Sequence, residues 1–192
     1  MVRRALLVAL LLGPAACSQK AQVGEGGPAG GSVAAGAGGC LPAGDGGLEA
    51  DLRGAIEADL AWRGTDIECD GDMRPDGSGL RVTLAGTHEG RHLRFIFGID
   101  LADADEGPAQ VLPTNLTVLV EGEGALYATR GSDRCAVEDL ARTPLEGNFE
   151  RVAVRGYCLD PATDLAGERR LLVPTFSFTA RVRGGEEAAA GD

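Results

Sequence analysis

Two runs of alternating apolar residues flank the dipeptide Glu89-Gly90, and together they specify a β-hairpin over residues 80–99. A turn at Glu89-Gly90, or over the four residues His88 to Arg91, pairs the same partners. Leu80 faces Ile99, Val82 faces Phe97, Leu84 faces Phe95 and Gly86 faces Leu93. Cross-strand partners share a face, so this set forms one apolar surface, interrupted only at Gly86. Arg81, Thr83, Thr87, His92 and Arg94 take the other face. Slipping the register by one residue would turn the apolar set to water, so the pairing is strongly fixed. A chain holding such a hairpin must build the rest of its core on a sheet.

Further segments repeat the period. Leu116–Val120 and Ala125–Thr129 read as a second strand pair, with Gly122 and Gly124 at the turn. Arg134–Val137 and Arg151–Cys158 read as short strands that place Cys135 and Cys158 as neighbours if they pair. From Leu172 to Val182 the chain alternates, with Leu172, Phe176, Phe178, Ala180 and Val182 on one side and Thr175, Ser177, Thr179 and Arg181 on the other. Pro174 has no N–H to donate, which suits an edge position or the start of that strand. Between Leu48 and Trp62 the period differs. Leu48, Leu52, Ala55, Ile56 and Leu60 fall on one helical stripe, Glu49, Arg53 and Glu57 fall off it, and Asp45 stands where a cap would. The sum is α+β but mostly β: an antiparallel sheet or β-sandwich with one N-terminal covering helix. A closed calycin-like barrel with an internal cavity is the alternative.

The first residues belong to a different kind of segment. Arg3 and Arg4 precede eight apolar residues, Ala5 to Leu12, and Gly13-Pro14-Ala15-Ala16-Cys17 closes the run. A basic start, an apolar middle and small residues at the end make a secretory signal peptide. The apolar run falls well short of the roughly 20 residues that span a bilayer. Pro14-Ala15-Ala16-Cys17 resembles the lipobox of bacterial lipoproteins, although Pro14 stands where that pattern has Leu, Val or Ile. The resemblance implies cleavage after residue 16 and a lipid on Cys17, hence attachment to a membrane. Ser18, in place of the Asp that marks inner-membrane retention in that class, implies the outer membrane. The alternative is ordinary cleavage beyond Cys17 and a soluble periplasmic or secreted product. On this reading residues 1–16 are the leader, 17–47 a lipid-anchored Gly- and Ala-rich tether, 48–183 a single domain and 184–192 an acidic, disordered tail.

Export changes how the cysteines are read. There are five: Cys17, Cys40, Cys69, Cys135 and Cys158. With Cys17 assigned to lipid or cleavage, four are left for two disulfides in an oxidising compartment. Neighbours in sequence, Cys40–Cys69 and Cys135–Cys158, are the favoured pairing. Loops of this size stabilise by about 3–4 kcal/mol each in the chain-entropy view. A zinc site would need close ligand pairs such as C-x-x-C, which the sequence lacks. The net charge of −11 grows more negative once Arg3 and Arg4 leave with the leader. Such a surface repels phosphate backbones and anionic head groups, which argues against nucleic acid as a partner and makes the lipid the means of membrane attachment.

The candidate chemistry is sparse. Asp66, Glu68, Asp70, Asp72 and Asp76 crowd one stretch, and Asp70, Asp72 and Asp76 are the candidate calcium ligands. The EF-hand pattern fails, because Pro75 and Arg81 occupy its glycine and bidentate-glutamate positions. Solvated acidic turns are the simpler account. Asp100, Asp103, Asp105 and Glu106 form a second acidic run that could share an ion with the first. His88 and His92, the sole histidines, fall on opposite faces of the hairpin tip, which disfavours a shared metal. Ser78 and Ser132 lie in glycine-flanked turns without an evident base, no G-x-S-x-G is present, and Trp62, Tyr127 and Tyr157 are too scattered for a stacking platform. The expectation is therefore a lipid-anchored envelope protein whose domain binds a protein or small-molecule partner, or serves structurally, without catalysis. A small-ligand carrier and a calcium-supported hydrolase using acidic residues are the alternatives.

Overall fold

In the computed structural model, residues 40, 41, 44–102, 111–131 and 133–184 are described. Their strands in chain order are β1 (Gly47–Gly54), β2 (Ala58–Arg63), β3 (Ile67–Met73), β4 (Gly79–His88), β5 (Arg91–Asp100), β6 (Leu112–Glu121), β7 (Ala125–Ala128), β8 (Cys135–Leu145), β9 (Phe149–Cys158), β10 (Ala162–Asp164), β11 (Arg170–Leu172) and β12 (Phe176–Arg183). The one helical turn among the described residues is a 3-10 turn at Gly64–Asp66. The protein is mostly β, as its alternation predicts. The expected tail, past residue 184, lies outside the described residues.

The β4–β5 hairpin forms in the predicted register, from Leu80 opposite Ile99 to Gly86 opposite Leu93. It closes through His88 opposite Arg91, with Glu89 at φ 49° and Gly90 at φ 77°. Both central residues are left-handed, as a type I′ turn requires. β6 and β7 pair as expected around residues 121–124, and Cys135 stands directly opposite Cys158 in the β8–β9 ladder.

The covering helix is a correction. Residues 47–63 form an antiparallel hairpin, with Leu48 opposite Trp62, Ala50 opposite Leu60 and Leu52 opposite Ala58. Burial alternates strictly in β2, and Leu48, Ala50 and Leu52 are the inward set of β1. Leu48, Leu52 and Leu60 satisfy both periods. Gly54, at φ 106°, turns the chain, and its N–H donates to the Glu57 carboxylate at 2.6 Å. A second correction concerns Leu172. Leu171 and Val173 are buried and Leu172 is half-buried, because the chain breaks its alternation at Pro174 before β12 resumes it.

All strands join one sheet in the order β2-β1-β11-β10-β7-β6-β5-β4-β3-β12-β9-β8, with further pairings of β1 with β12 and β6 with β8. It is not a closed barrel. Among the described residues β2 pairs with β1 alone, while β12 meets β9, β1 and, through the single bridge Asp72–Arg183, β3. Such branching brings the inner face of β4-β5-β6 against that of β1-β12-β9. Phe97 lies 4.8 Å from Phe176 and 4.9 Å from Phe178, and Trp62 meets Phe95 edge-on at 5.8 Å. Four of the five phenylalanines thus fill the centre, where each buried ring contributes about 1.5–3 kcal/mol. The interior that a carrier would need as a cavity is occupied by these side chains.

Candidate functional site

The two disulfides form as the sequence predicts, Cys40–Cys69 and Cys135–Cys158. Cys40 is buried, and its carbonyl accepts the Arg181 N–H at 3.2 Å, so the bridge ties the entry of the domain to both β3 and β12. Cys17 and the lipobox-like residues lie outside the described residues. Among the described residues no helix is long and apolar enough to cross a membrane.

The candidate calcium ligands do not converge. Glu68, Asp70 and Asp72 line the exposed face of β3, and Asp72 lies 3.5 Å from Arg183. Asp76 is engaged in its own turn. Its Oδ1 accepts the Ser78 hydroxyl at 2.7 Å and the Ser78 N–H at 3.0 Å, which together hold its carboxyl below the usual range. Among the described residues no group of three or more His, Cys, Asp or Glu could hold a metal ion. In the second acidic run the Asp100 carboxylate accepts the Ala102 N–H at 3.0 Å, whereas Asp103, Asp105 and Glu106 lie outside the described residues. His88 and His92 project from opposite faces of the hairpin, His92 toward Glu121 at 3.6 Å. Ser78 spends its hydroxyl on Asp76, and Ser132 is outside the described residues.

The feature that sequence reasoning missed is the outer face of β2-β1-β12-β9-β8. The registers place Glu49, Ser177, Arg155 and Asp139 in one row across four strands. The adjoining row is Gly47, Thr179, Ala153 and Ala141. Short side chains at these positions leave an open recess of about 440 Å³, and a second of about 420 Å³ continues it past Glu49, Arg155 and Ser177. The charges that flank it are paired, Arg63 with Glu49 and Arg155 with Asp139. This surface offers hydroxyls and paired charges, a composition suited to docking. The alternation of Ser177 and Thr179 marks the outer side of β12 in the sequence, but the recess depends on neighbours far away in the chain.

Comparison with protein-family models, with curated proteins and with solved structures finds no match for this chain.

Proposed function

We propose that the chain is an exported, lipid-anchored protein of the cell envelope, whose β-domain binds a partner or serves structurally without catalysing a reaction. The observation that carries this reading is the cysteine arithmetic. Four of the five cysteines close two disulfides with one another, and the fifth is Cys17, at the end of the basic and apolar leader. An odd cysteine in an oxidising compartment calls for an explanation, and lipidation supplies one. The Gly- and Ala-rich residues that precede Cys40 then serve to hold the domain off the membrane, since the domain already includes the Cys40–Cys69 bridge and β1 from Gly47, and the outer membrane is the destination implied by Ser18. Within the domain, the recess on the outer face of β1-β12-β9 is the surface assigned to a partner. Its hydroxyls and paired charges provide hydrogen bonds and shape without an activated nucleophile.

Fractionation of cells expressing the wild-type chain and Cys17→Ser tests the reading. The wild type partitions into detergent, and its N-terminal peptide begins at Cys17 with the added mass of acyl chains. Cys17→Ser moves to the aqueous phase with its fold intact. Membrane retention of Cys17→Ser, or a mature N-terminus beyond Cys17, overturns the anchor.

A further inference from the structure

An arginine cleft on a different part of the molecule points to a ligand. Arg130, Arg134, Asp160, Pro161, Thr163 and Arg170 line a recess of about 240 Å³. We propose that this cleft binds a phosphate-type oxyanion.

The topology explains why these groups meet. Thr163 of β10 stands opposite Arg170 of β11 and, on its other side, opposite Ala128 of β7. Directly opposed residues project from the same face of a sheet, and here that face is outward, since Ala162 and Leu171 are buried. Arg130 follows Ala128 by two residues, and its guanidinium reaches over the β10–β11 turn to within 3.9 Å of the position a Cβ would take at Gly167. Arg134 is fixed from two sides. Its Nε donates to the Arg130 carbonyl at 3.0 Å and its Nη1 to Asp160 Oδ2 at 2.9 Å.

The charge distribution then selects the ligand. The Asp160 carboxylate is engaged by Arg134, and Asp133 lies 3.6 Å from the same guanidinium. The neighbouring Arg169 is taken up by Asp164 at 3.1 Å and by the Tyr127 ring. Arg130 and Arg170 make no ion pair among the described residues, in a chain whose acids outnumber its Lys and Arg by 29 to 18. Two guanidinium forks without an ion pair among the described residues, lining one recess with a threonine, supply the donors that a tetrahedral oxyanion accepts in bidentate hydrogen bonds. The cleft is smaller than the roughly 300–1,000 Å³ of sites for larger organic ligands, which favours a small anion. The same chemistry could come from free phosphate or from a phospholipid head group. The net charge of −11 opposes an extended anionic membrane surface more strongly than one small anion, and so favours the free anion. Leu159 and Leu165, 72% and 84% exposed in the loops that flank β10, are the features that a membrane would use.

Titration calorimetry with inorganic phosphate tests the site. Wild type binds with a dissociation constant on the order of 1 mM. Arg130→Gln/Arg170→Gln weakens binding by about tenfold or more, the scale of lost charge-assisted hydrogen bonds. Arg74→Gln/Arg81→Gln removes the same charge outside the cleft and leaves binding unchanged. All four arginines of the test are exposed, and a thermal melt of each variant verifies the fold. In a second arm the exported chain carrying Cys17→Ser is sedimented with phosphatidylglycerol and with phosphatidylcholine vesicles. Sedimentation with the former that requires Arg130 and Arg170 assigns the site to a head group. Phosphate binding without it assigns the free anion. Binding of neither probe, or equal weakening by both arginine pairs, overturns the proposal.

Discussion

Gly156 and Glu89 show how much single positions can decide in this sheet. A Cβ at Gly156 would fall on the Ala136 carbonyl oxygen and within 2.6 Å of the Phe176 ring, so backbone and core aromatic both block it. Gly156→Ala should destabilise by about 2–3 kcal/mol, the cost of overpacking a filled core, with the loss read in the urea midpoint. Glu89 presents the opposite case. It holds φ 49° beside Gly90 in the tight β4–β5 turn, a conformation that costs an ordinary residue about 1 kcal/mol. Its ion pair with Arg91, at 3.8 Å, is exposed and worth little. Glu89→Asn creates the Asn-Gly pair that such turns favour, and should raise stability by a few tenths to about 1 kcal/mol. A lowered melting temperature would contradict this account of the turn.

Among the elements, the β10–β11 turn depends most on a single carboxylate. Asp164 is partly desolvated, which raises its pKa, but hydrogen bonds from the Arg169 side chain and from the N–H groups of Arg169, Glu168 and Gly167 outweigh this and lower it overall. Glu121 is lowered by the Arg94 hydrogen bond, and Asp76 by Ser78. A depressed folded value means that each group stabilises the fold above the ordinary carboxylate range, near pH 4, and loses that contribution as pH falls through its folded pKa. The urea midpoint should therefore fall on acidification below about pH 5. Asp164→Asn should lower the midpoint at neutral pH and flatten the acid limb, whereas an unchanged limb would remove Asp164 from the account. This turn also shows where sequence reading stops. β10 and β11 are three residues each, too short to display a period, and their partners, β7 and β1, lie far away in the chain. In β8, residues 138–145 are mostly exposed and carry no alternation, so β9 pairing alone marks them as strand. The β4–β5 register was legible because eight inward positions agree on one alignment. Residues 48–62 were misread because alanine at 50 and 58 is apolar but small, leaving the larger leucines to suggest a helical stripe. The cysteine pairing followed from spacing and from the expectation of an oxidising compartment, but the arginine cleft and outer recess did not, since both arise between strands distant in sequence.

At the scale of the whole molecule, the last strand completes the structure. β12 pairs with β9 over eight positions, with β1 over four, and reaches β3 through one bridge, while Phe176 and Phe178 enter the aromatic centre from it. Without β12, both β1 and β9 lose a neighbour, and Phe97 loses the rings it packs against. Loss of two buried phenylalanines alone costs about 6 kcal/mol or more, comparable to the whole stability of a domain of this size. A chain ending at Pro174 should therefore fail to fold, even though every predicted hairpin before it is present. The single tryptophan supplies the probe. Trp62 is 6% exposed, on β2 beside β1, and its ring fills the space left by Gly86 and meets Phe95. In the full chain its emission should be blue-shifted and should move to the red in one cooperative urea transition. In the chain ending at Pro174 emission should be red-shifted from the outset, with no transition. Blue-shifted emission and a cooperative transition in the truncated chain would show that β1 to β11 build the core without the closing strand.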